Sequence, residues 1–179
     1  MLKAKCKMNK LNHIILLLFL FCSLGLSAQT VGIEIGNKAP EIRLPSPAGD
    51  TIALSSLKGK MVLIDFWATW CAPCAKEQPE LAELYKKYKN AGFTRGKGFE
   101  IYGVSLDSKK ANWESMINKV GMDWIQVSDL KFWSSPVAKL YNLQELPFNL
   151  LIDGNGIILA INLHGGELES ELAKYRANQ

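Results

Sequence analysis

The feature that most restricts the fold of this chain is Met61-Val62-Leu63-Ile64-Asp65-Phe66-Trp67, an almost unbroken apolar run leading through Ala68-Thr69 into Trp70-Cys71-Ala72-Pro73-Cys74. A strand apolar on both sides has no solvent face. It belongs inside a sheet, usually with parallel neighbours, that is covered above and below. Beyond it, Leu81, Leu84, Tyr85 and Tyr88 recur at helical spacing and predict a helix over 72–90. The basic cluster Lys86, Lys87 and Lys89 suits the solvated C-terminal end of that helix. The two cysteines therefore stand where a buried strand gives way to a helix.

The remaining elements follow from patterning. Ile42-Arg43-Leu44 and Thr51-Ile52-Ala53-Leu54 flank Pro45, Pro47 and Ala48-Gly49-Asp50, a hairpin pattern. A glycine-rich loop over 92–98 leads to a second strand at 99–106 and a helix at 108–120. Residues 124–127 suit a short strand and 133–142 a short helix. Phe148–Asp153 turns at Gly154-Asn155-Gly156 into Ile157–Ile161, and a helix over 167–177 closes the chain. Strands alternating with helices, then a terminal hairpin and helix, predict an α/β fold: a mixed central sheet with helices on both faces.

At 179 residues the chain has room for about one domain. Its 48% hydrophobic and 21% charged residues exclude a disordered chain. The net charge of +4 comes from Lys3, Lys5, Lys7 and Lys10, which precede the apolar run Ile14–Leu26. That run is short of the roughly 20 residues a bilayer span needs. Leu26-Ser27-Ala28 ends it in small residues, so residues 1–28 are expected to be a signal peptide cleaved after Ala28, with one domain over 29–179. An uncleaved leader would instead be a membrane anchor. A lipoprotein cysteine at Cys22 is disfavoured by Phe21 before it. Without the leader the basic excess disappears, which gives no support for nucleic-acid binding.

Export removes Cys6 and Cys22 and leaves Cys71 and Cys74. A bridge across two residues closes too small a loop to add much stability. At a helix N-terminus, unpaired N–H groups and the dipole favour a thiolate at Cys71, with Pro73 tolerated in the first turn. A thiolate attacks disulfides, and Cys74, one turn further, is placed to resolve the mixed disulfide. Structural zinc needs two more Cys or His ligands, and only His164 is available, so no metal is expected. Asp65, mid-strand and six residues before Cys71, is expected to have a raised pKa. Glu77, three residues after Cys74, is either a second proton acceptor or a surface acid in the first turn. Trp70 is an apolar contact surface. Pro79 is expected to kink or disturb the helix. Pro147 opens a strand, and its pattern alone favours an ordinary trans bond. A cis bond would turn the Leu146 backbone outward as a docking edge for an extended peptide. Trp113, Trp124 and Trp133 suit the core, and His164 beside Gly165-Gly166 suits a turn.

These residues together resemble the exported thioredoxin-fold thiol–disulfide oxidoreductases of the TlpA/ResA type, within the AhpC/TSA–thioredoxin superfamily. The resemblance covers about residues 35–176 and rests on Gly36 and Ala39-Pro40, Leu54-Ser55-Ser56-Leu57-Lys58-Gly59-Lys60, Phe66-Trp67-Ala68-Thr69-Trp70-Cys71-Ala72-Pro73-Cys74, Pro79, and Pro147 followed by Leu150-Leu151-Ile152-Asp153. It implies a thioredoxin-like fold with an N-terminal β-hairpin and an extra strand and helix inserted centrally. Cys71, Cys74, Asp65 and Glu77 would be the catalytic residues. Trp70, Pro73, Leu146 and a cis Pro147 would bind substrate. Departures are Glu145, Phe148 and Asn149 around that proline, a longer loop at Gly92–Gly98, and no lysine on the second strand to pair with Asp65.

The implied protein is periplasmic or otherwise in the envelope. It has no cofactor beyond the Cys71–Cys74 disulfide. It exchanges with protein thiols and disulfides, takes electrons from a membrane thiol–disulfide carrier, acts mainly as a reductant, for example in cytochrome c maturation, and is a monomer. The rival expectations are a peroxiredoxin-like peroxidase and a non-catalytic module of the same fold.

Overall fold

The computed structural model of the protein describes residues 29–177. The leader, its cleavage site and the lysines that carry the basic excess lie outside the described residues.

Five strands form the central sheet: β3 (Met61–Trp67), β6 (Phe99–Ser105), β7 (Ile125–Val127), β8 (Phe148–Ile152) and β9 (Ile158–Ile161), in the order β7-β6-β3-β8-β9. β3 lies at the centre, parallel to β6 and antiparallel to β8. Every residue of β3 and β6 is buried, the polar side chains of Asp65, Glu100 and Ser105 included. Alternation along β3 divides two cores. Met61, Leu63 and Trp67 face the helices α1 (Ala72–Tyr88), α2 (Lys110–Val120) and α4 (Gly166–Lys174), meeting Leu81 and Tyr85, Trp113, and Leu168 and Leu172. Val62, Ile64 and Phe66 face the other way, onto Ile42, Leu54, Leu57 and the short helix α3 (Pro136–Leu140). Each such side chain, fully buried, contributes about 1.5–3 kcal/mol. Helices thus cover both faces of a mixed sheet.

The N-terminal hairpin is β1 (Arg43–Pro45) paired with β2 (Thr51–Ala53). The helix and strand that intervene centrally are α2 and β7, and β7 extends the sheet edge beside β6. The glycine-rich segment at 92–98 is not merely a loop. It forms a small hairpin, β4 (Gly92–Phe93) with β5 (Gly96–Lys97). Gly96 is needed there, because a Cβ on it would stand 2.6 Å from the Met61 nitrogen. The helix expected at 133–142 is shorter: a 3-10 turn at Phe132–Ser134 precedes α3, which Ser135 caps by accepting from the Val137 N–H. Pro79 lies inside α1, which continues through it to Tyr88.

Candidate active site

The C-terminal end of β3 and the first turn of α1 place Cys71 and Cys74. Cys71 is the N-cap of α1, with extended backbone angles, and Pro73 falls in the first turn. The cysteines are joined in a disulfide. Cys71 is 6% exposed and Cys74 is fully enclosed. The Cys74 N–H donates to Cys71 Sγ at 3.2 Å. That donor, with the other unpaired N–H groups of the turn, would stabilise negative charge on Cys71 once the bond is reduced.

Asp107 braces the loop ahead of Cys71. Its carboxylate accepts from Thr69 N–H (3.1 Å), Thr69 Oγ1 (2.6 Å) and Ser105 Oγ (2.8 Å). Nothing in local patterning marks Asp107, because Thr69, the residue it braces, lies 38 positions away on another segment.

Asp65 is 1% exposed and sits on the face of β3 turned toward α1. Burial pushes its carboxyl up to about 7. Smaller effects are the opposing hydrogen bond from Gln78, an upward push from Glu77 and a downward one from His164. With no lysine present, Gln78 Nε2 is the donor, at 3.0 Å from Asp65 Oδ2. The expectation of a raised Asp65 pKa agrees with this geometry.

Glu77 is not a free surface acid. Its side chain is 12% exposed, and His164 Nδ1 stands 3.0 and 3.2 Å from its two oxygens. His164, expected only as a turn residue, therefore belongs to the site. Asn149 places it: its side chain donates to Leu163 O at 2.8 Å and accepts from Leu163 N at 3.0 Å. An amide carries both a donor and an acceptor, which is what this two-sided clamp on Leu163 uses.

The Leu146–Pro147 peptide is cis, against the trans bond that strand-start patterning favours. Pro147 lines an open groove with Leu146, Pro73, Glu77, Glu145 and His164. Trp70, next to Cys71 in the chain, is 46% exposed, and its ring lies 5.0 Å from that of Phe132 and 6.2 Å from that of Trp133. Trp133 is thus half-buried beside the site rather than core, whereas Trp113 and Trp124 are core. Phe132 has φ +55, a conformation a bulky side chain rarely adopts. Its ring is held outward next to Trp70.

Comparison with known proteins fits this geometry. The AhpC/TSA family profile matches residues 35–161. The chain is 32% identical over 151 residues to the thiol-disulfide oxidoreductase ResA of Bacillus thuringiensis (strain Al Hakam), covering 84% of this chain and 82% of that one. Among solved structures it resembles the thioredoxin domain of a thiol-disulfide oxidoreductase from Bacteroides vulgatus, at 34% identity and a TM-score of 0.72, covering 80% of this chain and 98% of that one. A thiol-disulfide oxidoreductase from Bacteroides fragilis matches at 35% identity and 0.69, covering 77% and 98%.

Proposed function

The chain belongs to the AhpC/TSA family and is a ResA-like, thioredoxin-fold protein thiol–disulfide oxidoreductase; from that premise we propose that it is exported and reduces protein disulfides, with Cys71 as nucleophile and Cys74 as resolving thiol. The observation that carries the assignment is the cysteine pair itself. Cys71 is the N-cap of α1 and accepts from the Cys74 N–H, while Cys74 is enclosed.

In the forward reaction the Cys71 thiolate attacks a substrate disulfide, and one substrate sulfur leaves. Cys74 then loses its proton and attacks Cys71 Sγ, releasing the second substrate sulfur and forming the Cys71–Cys74 bond. Two electrons pass to the substrate, with no cofactor beyond the cysteines. Asp65 and Glu77 accept the Cys74 proton. Trp70, and the groove that Pro73, Leu146 and Pro147 line, bind the substrate chain.

Residues 1–28 support export, with the folded domain beginning at 29. No described helix is long and apolar enough to cross a membrane. In an oxidising envelope a reductant needs electrons from a membrane thiol–disulfide carrier. The disulfide of an apocytochrome c and general envelope disulfides are the substrates we favour, and the working unit is a monomer. The test is insulin reduction with dithiothreitol as donor, run beside peroxide consumption. Insulin reduction lost in Cys71→Ser is the expected result. Peroxide turnover without insulin reduction would make the protein a peroxidase. Cys74→Ala should trap the natural substrates as mixed disulfides.

A further inference from the structure

Gln78 stands apart from every residue considered so far. It is 1% exposed, sits on α1 one turn beyond Cys74, and donates through Nε2 to Asp65. Its Oε1 is buried and has no hydrogen-bond partner. The other buried polar side-chain atoms in that condition among the described residues are the indole nitrogens of Trp113 and Trp124, neither of them on α1. A buried orphan acceptor loses its hydration with nothing in return and calls for an explanation.

The explanation lies in helix geometry. Residues four apart share a face, and a helical side chain leans toward the turn N-terminal to it. The Gln78 amide therefore lies over the turn that carries Cys74, with one end spent on Asp65. In the disulfide form Cys74 has no hydrogen to give. In the dithiol form its S–H becomes a donor on that turn.

We propose that Gln78 is a positioning residue that couples the proton on Cys74 to the proton on Asp65. An amide carries a donor and an acceptor at its two ends. With Asp65 ionised and Cys74 a thiol, Nε2 faces the carboxylate and Oε1 accepts from S–H. With the proton moved, the amide turns over: Oε1 accepts from the Asp65 carboxyl and Nε2 donates to the Cys74 thiolate. Either placement of the single proton is fully hydrogen-bonded. Both groups charged leaves Oε1 facing an anion, whereas with both neutral the carboxyl C=O still accepts from Nε2 and the S–H donates to Oε1. In the resolving step the Cys74 proton passes to Asp65 and the sulfur's electron pair forms the Cys71–Cys74 bond. The Cys71–substrate bond breaks, and the departing substrate sulfur takes a proton from water.

The other titratable groups acting on Asp65 are Glu77 from α1 and His164 from the turn before α4. From the flanking strands, Gly103 offers no side chain, and Asn149 is committed to Leu163. Gln78 hydrogen-bonds Asp65, and its neutral amide can serve both protonation states of the carboxyl.

This inference rests on Asp65 as proton acceptor, and the experiment separates the two. The rate of insulin reduction by the dithiol protein is followed across about pH 6–9 for the parent and for Gln78→Leu, Gln78→Met, Asp65→Asn and the Gln78→Leu/Asp65→Asn double variant. The Asp65 carboxyl is titrated in parallel by carbon NMR. Both Gln78 variants should slow reduction about tenfold, and the Asp65 titration should move upward. The double variant should be no slower than Asp65→Asn alone. Gln78→Met keeps the length and volume of the side chain and serves if Gln78→Leu folds poorly. Parent-like rates in Gln78→Met, or a double loss equal to the product of the single losses, overturn the coupling while leaving Asp65 in place. Parent-like rates in Asp65→Asn overturn both.

Discussion

The imidazole of His164 lies 3.0 Å from a carboxylate oxygen of Glu77, across 87 residues of sequence. An ionised carboxylate only accepts, so Nδ1–H is the donor. The bond fixes the orientation of Glu77 and keeps its charge beside the first turn of α1.

Removing the imidazole releases Glu77. His164→Leu is expected to slow disulfide exchange several-fold at neutral pH, within the range typical of acid–base contributions. His164→Asn, whose side-chain N–H approximates Nδ1–H, should recover most of the loss. Stopped-flow reduction of insulin by each variant checks this. Equal rates in parent and His164→Leu would show that Glu77 needs no partner.

Asp65 ties stability to pH. Its folded pKa of about 7 lies above the ordinary aspartate value of 3.8. Between those values the folded protein holds a proton that the unfolded chain has released. Stability from this group therefore declines as pH rises from about 4 to about 7 and then levels off. Asn at this position still accepts from Gln78 and carries no charge. Asp65→Asn should be the more stable protein at pH 8 by a few kcal/mol, at about 1.4 kcal/mol per unit of pKa shift, and nearly equal to the parent at pH 4. Urea denaturation of the oxidised proteins at several pH values measures the difference. Parallel curves would contradict it.

The cysteines should differ in reactivity. Cys71 caps a helix and reaches the surface, whereas Cys74 is enclosed. Iodoacetamide at neutral pH should modify Cys71 first in the dithiol protein, as peptide mapping would show. Preferential labelling of Cys74 would reverse the assigned roles.

The pair should be a moderate reductant. Ala72 and Pro73 between the cysteines bring neither charge nor imidazole. Asp65 and Glu77 oppose any further stabilisation of thiolate at this end of α1. The midpoint is expected between about −270 and −200 mV, nearer thioredoxin than the strongly oxidising DsbA on the same scale. A glutathione redox titration gives the value. A midpoint near −120 mV, the DsbA value, would make the protein an oxidant.

What the sequence by itself determined is local. The apolar run of β3, the helical spacing behind it and the short separation of Cys71 and Cys74 lie within one stretch of chain. The mid-strand acid Asp65 was conspicuous for the same reason: a charge in an apolar run needs a reason wherever the strand is placed. The cis Pro147 came from family resemblance rather than local pattern, since strand-start prolines are ordinarily trans. The neighbours of the cysteines depend on contacts that no periodicity encodes. Gln78 reads as an ordinary helical residue until α1 packs on β3 and sets it on Asp65. Asp107 reaches Thr69 across 38 residues because β6 ends beside β3. His164 looked like a turn residue because turns do favour its glycine neighbours. Only the β3–β8 register and the Asn149 clamp bring that turn to Glu77. Strand register and helix packing are settled by burial summed over the whole domain, so the tertiary structure alone decided which side chains surround the disulfide.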